Sequence, residues 1–123
     1  APIGLAILDV NLRFVRLNQK LAEINGRSVE EHLGRTVHEI VPDLADELEP
    51  LFRQILTTGE PILNLEVSGE TAAKPGVKFT WIESWFPLCD PTGQVIGINA
   101  VVQEITNKPK PEFARVKNDC GWR

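Results

Sequence analysis

Hydrophobic and polar positions alternate from the start of the chain. Ile3, Leu5 and Ile7 alternate with Gly4, Ala6 and Leu8, Asp9-Val10-Asn11 breaks the run, and residues 12–17 resume it, which predicts a β-hairpin. At Asn18 the period changes: Leu17, Leu21 and Ile24 fall at helical spacing between an Asn cap and the stop at Gly26. Ser28-Val29-Glu30-Glu31 and Thr36-Val37-His38-Glu39 are capping boxes, in which a hydroxyl and a Glu three residues on satisfy each other's free amides. They predict two short helices, ended by Gly34 and Pro42. Asp43 is then expected to cap one long helix with the stripe Leu44, Leu48, Leu51, Phe52 and Ile55, terminated by Gly59 with Pro61 behind it.

Beyond that helix the period is two. Residues 62–67 and 77–88 read as strands around a loop over 69–76, and Asp90-Pro91-Thr92-Gly93 turns the chain into a last strand over 94–105. The order predicts an α+β domain: a five-stranded antiparallel sheet with helices inserted between strands 2 and 3. Residues 1–106 form that domain, and residues 107–123, with Pro109 and Pro111 and few apolar anchors, read as a flexible tail, a linker or an appended sequence.

Composition narrows the function. Apolar residues at 42% and charged residues at 24% of 123 mark a globular chain able to fill one core. No apolar run reaches the length of a membrane span, and the first residues carry no basic leader, so no membrane contact by this segment is expected. The absence of Met predicts an excised or processed segment. Residues 107–123 carry five basic and two acidic groups, a net of +3, which leaves −7 on residues 1–106. A body of that charge repels a phosphate backbone, which argues against nucleic acid as a partner. Cys89 and Cys120 share no CxxC or His-rich segment and read as reduced thiols in a cytoplasmic protein, Cys89 as an inert one.

The strongest candidate for chemistry lies in residues 79–86. Alternation puts Phe79, Trp81, Glu83 and Trp85 on one face and Thr80, Ile82, Ser84 and Phe86 on the other. If the tryptophan face is the core face, Glu83 points inward between two indoles, where a carboxylate needs a partner or takes up a proton. Two readings fit: a small-molecule pocket anchored by Glu83, or tryptophans packed on a covering helix with Glu83 at a wet margin. A third, from another class, is a small α+β enzyme with Glu83 as general base in a closed pocket. Against it stands the lack of an evident second acid or oxyanion stabiliser, so no catalytic residue is expected. His32 and His38, on the short helices, read as solvent-exposed. Asp43, Asp46, Glu47 and Glu49 open the long helix, where its dipole favours negative charge, so they read as structural and no metal site is expected.

Several segments together resemble the PAS sensor domain. They are Asp9-Val10-Asn11 in the first turn, Phe14-Val15-Arg16-Leu17-Asn18, Glu30-Glu31-His32-Leu33-Gly34-Arg35, Val41-Pro42-Asp43-Leu44 and residues 85–97. Val102-Gln103-Glu104-Ile105-Thr106 stands where such domains usually carry Asp-Ile-Thr, with Glu104 in place of Asp. The resemblance spans residues 3–106. It implies a sensory and dimerisation module of a signalling protein, most often a sensor histidine kinase, with Glu104, Ile105 and Thr106 coupling it to an output domain of the same chain. It implies that Trp81, Glu83, Trp85, Ala100 and Val102 face a ligand pocket, while Ile82, Phe86, Val101 and Ile105 form an apolar outer face suited to a second copy. The motifs of flavin, haem and thiol-linked chromophore members are missing: there is no Asn-Cys-Arg-Phe-Leu-Gln, no His within residues 43–58, and no core Cys besides Cys89. By that resemblance no tightly held cofactor is expected.

Overall fold

The computed structural model describes residues 3–105. In chain order the elements are β1 (Ile3–Asp9), β2 (Phe14–Leu17), α1 (Gln19–Asn25), α2 (Val29–His32), α3 (Val37–Ile40), α4 (Pro42–Thr58), β3 (Ile62–Gly69), β4 (Phe79–Cys89) and β5 (Val95–Glu104). The strands make one antiparallel sheet in the order β2-β1-β5-β4-β3, so the last strand in sequence lies at the centre. The helices lie between strands 2 and 3 of the chain, as expected. The tail expected over 107–123 falls outside the described residues.

Polar side chains fix the helical insert. The Asn18 Oδ1 accepts from the Leu21 amide at 3.0 Å, capping α1, and from the Leu5 amide at 3.0 Å, while its Nδ2 donates to the Ile3 carbonyl at 2.9 Å. One residue thus starts a helix and bonds it to β1. Gly26 ends α1 with a φ of 78°, a left-handed conformation that a side chain disfavours. Both capping boxes form, at Ser28 with Glu31 and at Thr36 with Glu39. The loop between α2 and α3 then pairs with β2: the Phe14 amide donates to the Arg35 carbonyl, and the Gly34 amide to the Phe14 carbonyl, each at 2.9 Å. That covers an otherwise open sheet edge.

Three expectations need correction. The second strand begins at Phe14, not residue 12, because Leu12 takes a φ of 62° and turns its side chain into the core. Asp9 supports this longer turn by accepting from the amides of Asn11 and Arg13. Asp43 does not cap α4. The cap is Val41 without a side-chain bond, and Pro42 opens the helix, its ring fixing the φ that the first helical residue needs. The loop expected over 69–76 falls at 70–78, because β3 runs on to Gly69 and β4 starts at Phe79.

The core lies between the inner sheet face and the helices. Ala6, Leu8, Phe14, Val67, Trp81, Trp85, Ile98, Ala100 and Val102 of the strands meet Leu21, Ile24, Val37, Leu44, Leu48, Phe52 and Ile55. Leu51 is only partly buried against it. At Gly97 a Cβ would run into the Leu8 carbonyl, so glycine there sets the close approach of β5 to β1.

Candidate functional site

The side chains of β4 alternate across the sheet and settle which face is inward. Trp81 and Trp85 are 2% and 0% exposed, and Glu83 between them is 8% exposed. Across the β4–β5 ladder, Trp85 lies opposite Ala100 and Glu83 opposite Val102, both also buried. All five residues expected on the inner face are there. Of the other face, Ile82, Val101 and Ile105 are partly exposed and Phe86 is exposed.

These residues border a cavity of about 50 Å³ between the sheet and the helices, lined by Trp81, Glu83, Ala100 and Val102 from the sheet. Phe14 of β2 lines it too, with Phe52, Asn25 and Thr71 from outside the sheet. Trp85 does not line it. It sits beneath, its ring 4.2 Å from that of Phe52, and its Nε1–H donates to Glu83 Oε1 at 2.9 Å. That is the single hydrogen bond the Glu83 side chain makes among the described residues. Burial pushes the Glu83 carboxyl up to about 7, and the Trp85 bond, which favours the anion, offsets part of the rise. Among the described residues, Glu83 is also the single ionisable side chain lining the cavity. The Trp81 Nε1–H, by contrast, is buried without a partner among the described residues.

His32 is a correction: expected in solvent, it is fully buried. The reason is tertiary. The one-turn α2 is drawn against β2 by the Phe14–Leu33 bridge, and the Phe14 and His32 rings meet edge-on at 4.9 Å. Its Nδ1 lies 2.8 Å from the Ser28 carbonyl and its Nε2 3.1 Å from Asn25 Nδ2. Burial holds its pKa below the usual histidine value. His38 and Cys89 are exposed.

Asn25 and Thr71 were not anticipated as cavity residues. Asn25 ends α1 beside the Gly26 stop, and Thr71 lies in the loop after β3, where its hydroxyl donates to the Ile24 carbonyl at 2.7 Å. Neither carries a periodic signal, because both are placed by packing between α1 and that loop.

At the end of β5, Glu104 forms an ion pair with Lys20 of α1 at 3.8 Å, and the Ile105 amide donates to the Thr80 carbonyl at 2.9 Å. Thr106 lies outside the described residues. Among the described residues, no group of three or more His, Cys, Asp or Glu side chains is arranged to hold a metal ion, and no helix is long and apolar enough to cross a membrane.

A family model described as the PAS fold matches residues 1–109. No curated protein matches the sequence. Among solved structures, VqmA of Vibrio cholerae, in a complex with ligand and DNA, superposes with a TM-score of 0.78 at 24% identity over 99% of this chain and 55% of that one. As a dimer without target DNA, VqmA gives 0.73 at 25% over 86% and 47%. The chain thus spans about half the length of VqmA. A sensory box sensor histidine kinase of Vibrio cholerae gives 0.67 at 18% over 85% and 83%, and the PAS domain of a Colwellia psychrerythraea protein 0.71 at 15% over 86% and 88%. With its sheet order, its inserted helices and a family match over residues 1–109, the chain belongs to the PAS fold family.

Proposed function

We propose that residues 1–106 are the sensory module of a signal-transduction protein, which binds a small molecule in the core cavity and passes the change to an output domain. Trp81, Glu83, Ala100 and Val102 contact the ligand in this reading, and Trp85 holds Glu83 in place. The observation that carries it is the cavity between sheet and helices, whose largely apolar wall holds one buried carboxyl among the described residues. A ligand shifts the module only by binding two conformations unequally. The lever is β5, which carries Ala100 and Val102 on the cavity wall and leads into Glu104, Ile105 and Thr106.

The module works as a homodimer in the cytoplasm, and its output domain lies in the same parent chain. A sensor histidine kinase is the output we favour, in keeping with the sensory box kinase of similar fold. VqmA, solved with DNA, marks the alternative output. In either case the net −7 on residues 1–106 argues for any contact with DNA lying on another part of the protein. Binding is better supported than turnover by a Glu83 base, because among the described residues the cavity lining offers no second ionisable group.

Native mass spectrometry of protein purified from cells tests the reading. A bound adduct of constant mass, lost on Ala100→Leu filling of the cavity, is expected. Its absence across preparations would remove a tightly held ligand.

A further inference from the structure

We infer that Trp81 selects the ligand of the core cavity: its indole N–H takes an acceptor atom, such as a carbonyl, hydroxyl or nitrile. A molecule that brings such an atom binds in preference to one of the same shape that does not. The inference rests on the binding reading above and names the chemistry the ligand must carry.

Four polar side chains line the cavity: Asn25, Thr71, Trp81 and Glu83. Thr71 is already engaged in both directions, since its hydroxyl donates to the Ile24 carbonyl at 2.7 Å and accepts from the Ala73 amide at 3.2 Å. Asn25 gives one amide hydrogen to His32 Nε2, 3.1 Å from its Nδ2, and keeps an accepting oxygen and a second hydrogen. Glu83 accepts from the Trp85 N–H on Oε1. Its carboxyl, held up to about 7 by burial, donates while it keeps its proton and accepts once it has lost it. Asn25 and Glu83 therefore accommodate a ligand group of either kind, and neither decides between donors and acceptors.

Trp81 cannot adapt. An indole nitrogen donates and never accepts, and the Trp81 Nε1–H is buried without a partner among the described residues, on a side chain only 2% exposed. Trp85, four residues on along the same face, has its own N–H satisfied by Glu83. A buried donor without an acceptor destabilises whatever state leaves it so. The occupant of the cavity relieves that only by presenting a lone pair to Nε1. Size sets the scale of the group that enters. About 50 Å³ is a fraction of the ~150 Å³ that holds benzene in an engineered apolar core, so a few heavy atoms fit and a ring does not.

The test uses the whole 123-residue chain, labelled with ¹⁵N, and two probes of one shape, acetonitrile and propyne. Both are short rods, one ending in a nitrogen lone pair and the other in C–H. Acetonitrile is expected to move the Trp81 indole N–H resonance downfield, saturably, and propyne to bind about tenfold more weakly without that shift, as for one donor left unpaired. Trp81→Phe keeps the aromatic face without the N–H, so the two probes should then bind alike, followed by the Trp85 N–H. Asn25→Ala, which alters an adaptable group, should leave the preference in place. Propyne binding as tightly as acetonitrile, or a preference that survives Trp81→Phe, overturns this inference and leaves the cavity a binding site. So does acetonitrile that saturates without moving the Trp81 N–H, or a Trp81 N–H that keeps a cross-peak to bound water at saturation; both are read on the parent chain. Saturable binding of neither probe overturns the binding reading itself, and this inference with it.

Discussion

Glu83 is more costly to the fold at neutral pH than in acid. Its folded pKa of about 7 lies above the ordinary 4.5, so between those values the folded chain holds a proton that the unfolded chain has released. The stability linked to this group is fully present below about pH 4.5 and is lost as pH rises to about 7. At roughly 1.4 kcal/mol per pKa unit the loss is about 3 kcal/mol, and Glu83→Gln should escape it. Urea unfolding of both proteins from pH 4 to 8 checks this: the stability of the Gln variant relative to the parent should climb across that window and level off above it. Trp85→Phe removes the bond that favours the anion, so the Glu83 pKa should rise further, as carboxyl ¹³C shifts would show. Much of this residue's role could be read from sequence, since two tryptophans at i ± 2 share its face of the strand. His32 could not be read, because its burial depends on where a one-turn helix packs, and neighbouring residues do not encode that.

Elements were legible where a side chain closes its own bonds locally. Both capping boxes, the Asn18 cap and the Gly26 and Gly59 stops fall where the residue types demand. Asp43 misled because Pro42 fills the first helical position without needing a polar cap, and Leu12 because its side chain is apolar while its backbone is left-handed. Asn18 does more than its sequence signal implies. Asn18→Ala removes a helix cap together with two bonds to β1, so it should cost at least the ~1 kcal/mol of an ordinary cap and more than Ser28→Ala, which removes a cap alone. Chemical denaturation of the two variants makes the comparison.

At the scale of the molecule, the outer sheet face is unusually apolar: Ile3, Leu5 and Phe86 are all exposed, Leu5 by 45%. Alternation alone left both faces of β4 and β5 apolar, and only the helices packed on one of them distinguish inner from outer. If copies pair through this face, Leu5→Glu should yield a monomer in sedimentation velocity with little change in unfolding midpoint, since the side chain is not part of the core. A dimer that persists would move the interface elsewhere. The strand order was likewise beyond reach of local pattern, since residues about ninety apart must meet for β1 to pair with β5.

That pairing has a consequence for how the protein comes into being. The strand made last joins β1–β2 to β3–β4, so a nascent chain stopped before residue 95 holds two hairpins with nothing to bridge them. Such a fragment should show no cooperative melting by circular dichroism, because its earlier parts wait on contacts that are long in sequence. The same ribbon that completes the structure is the one that leaves it, so whatever loosens the exit also loosens the keystone.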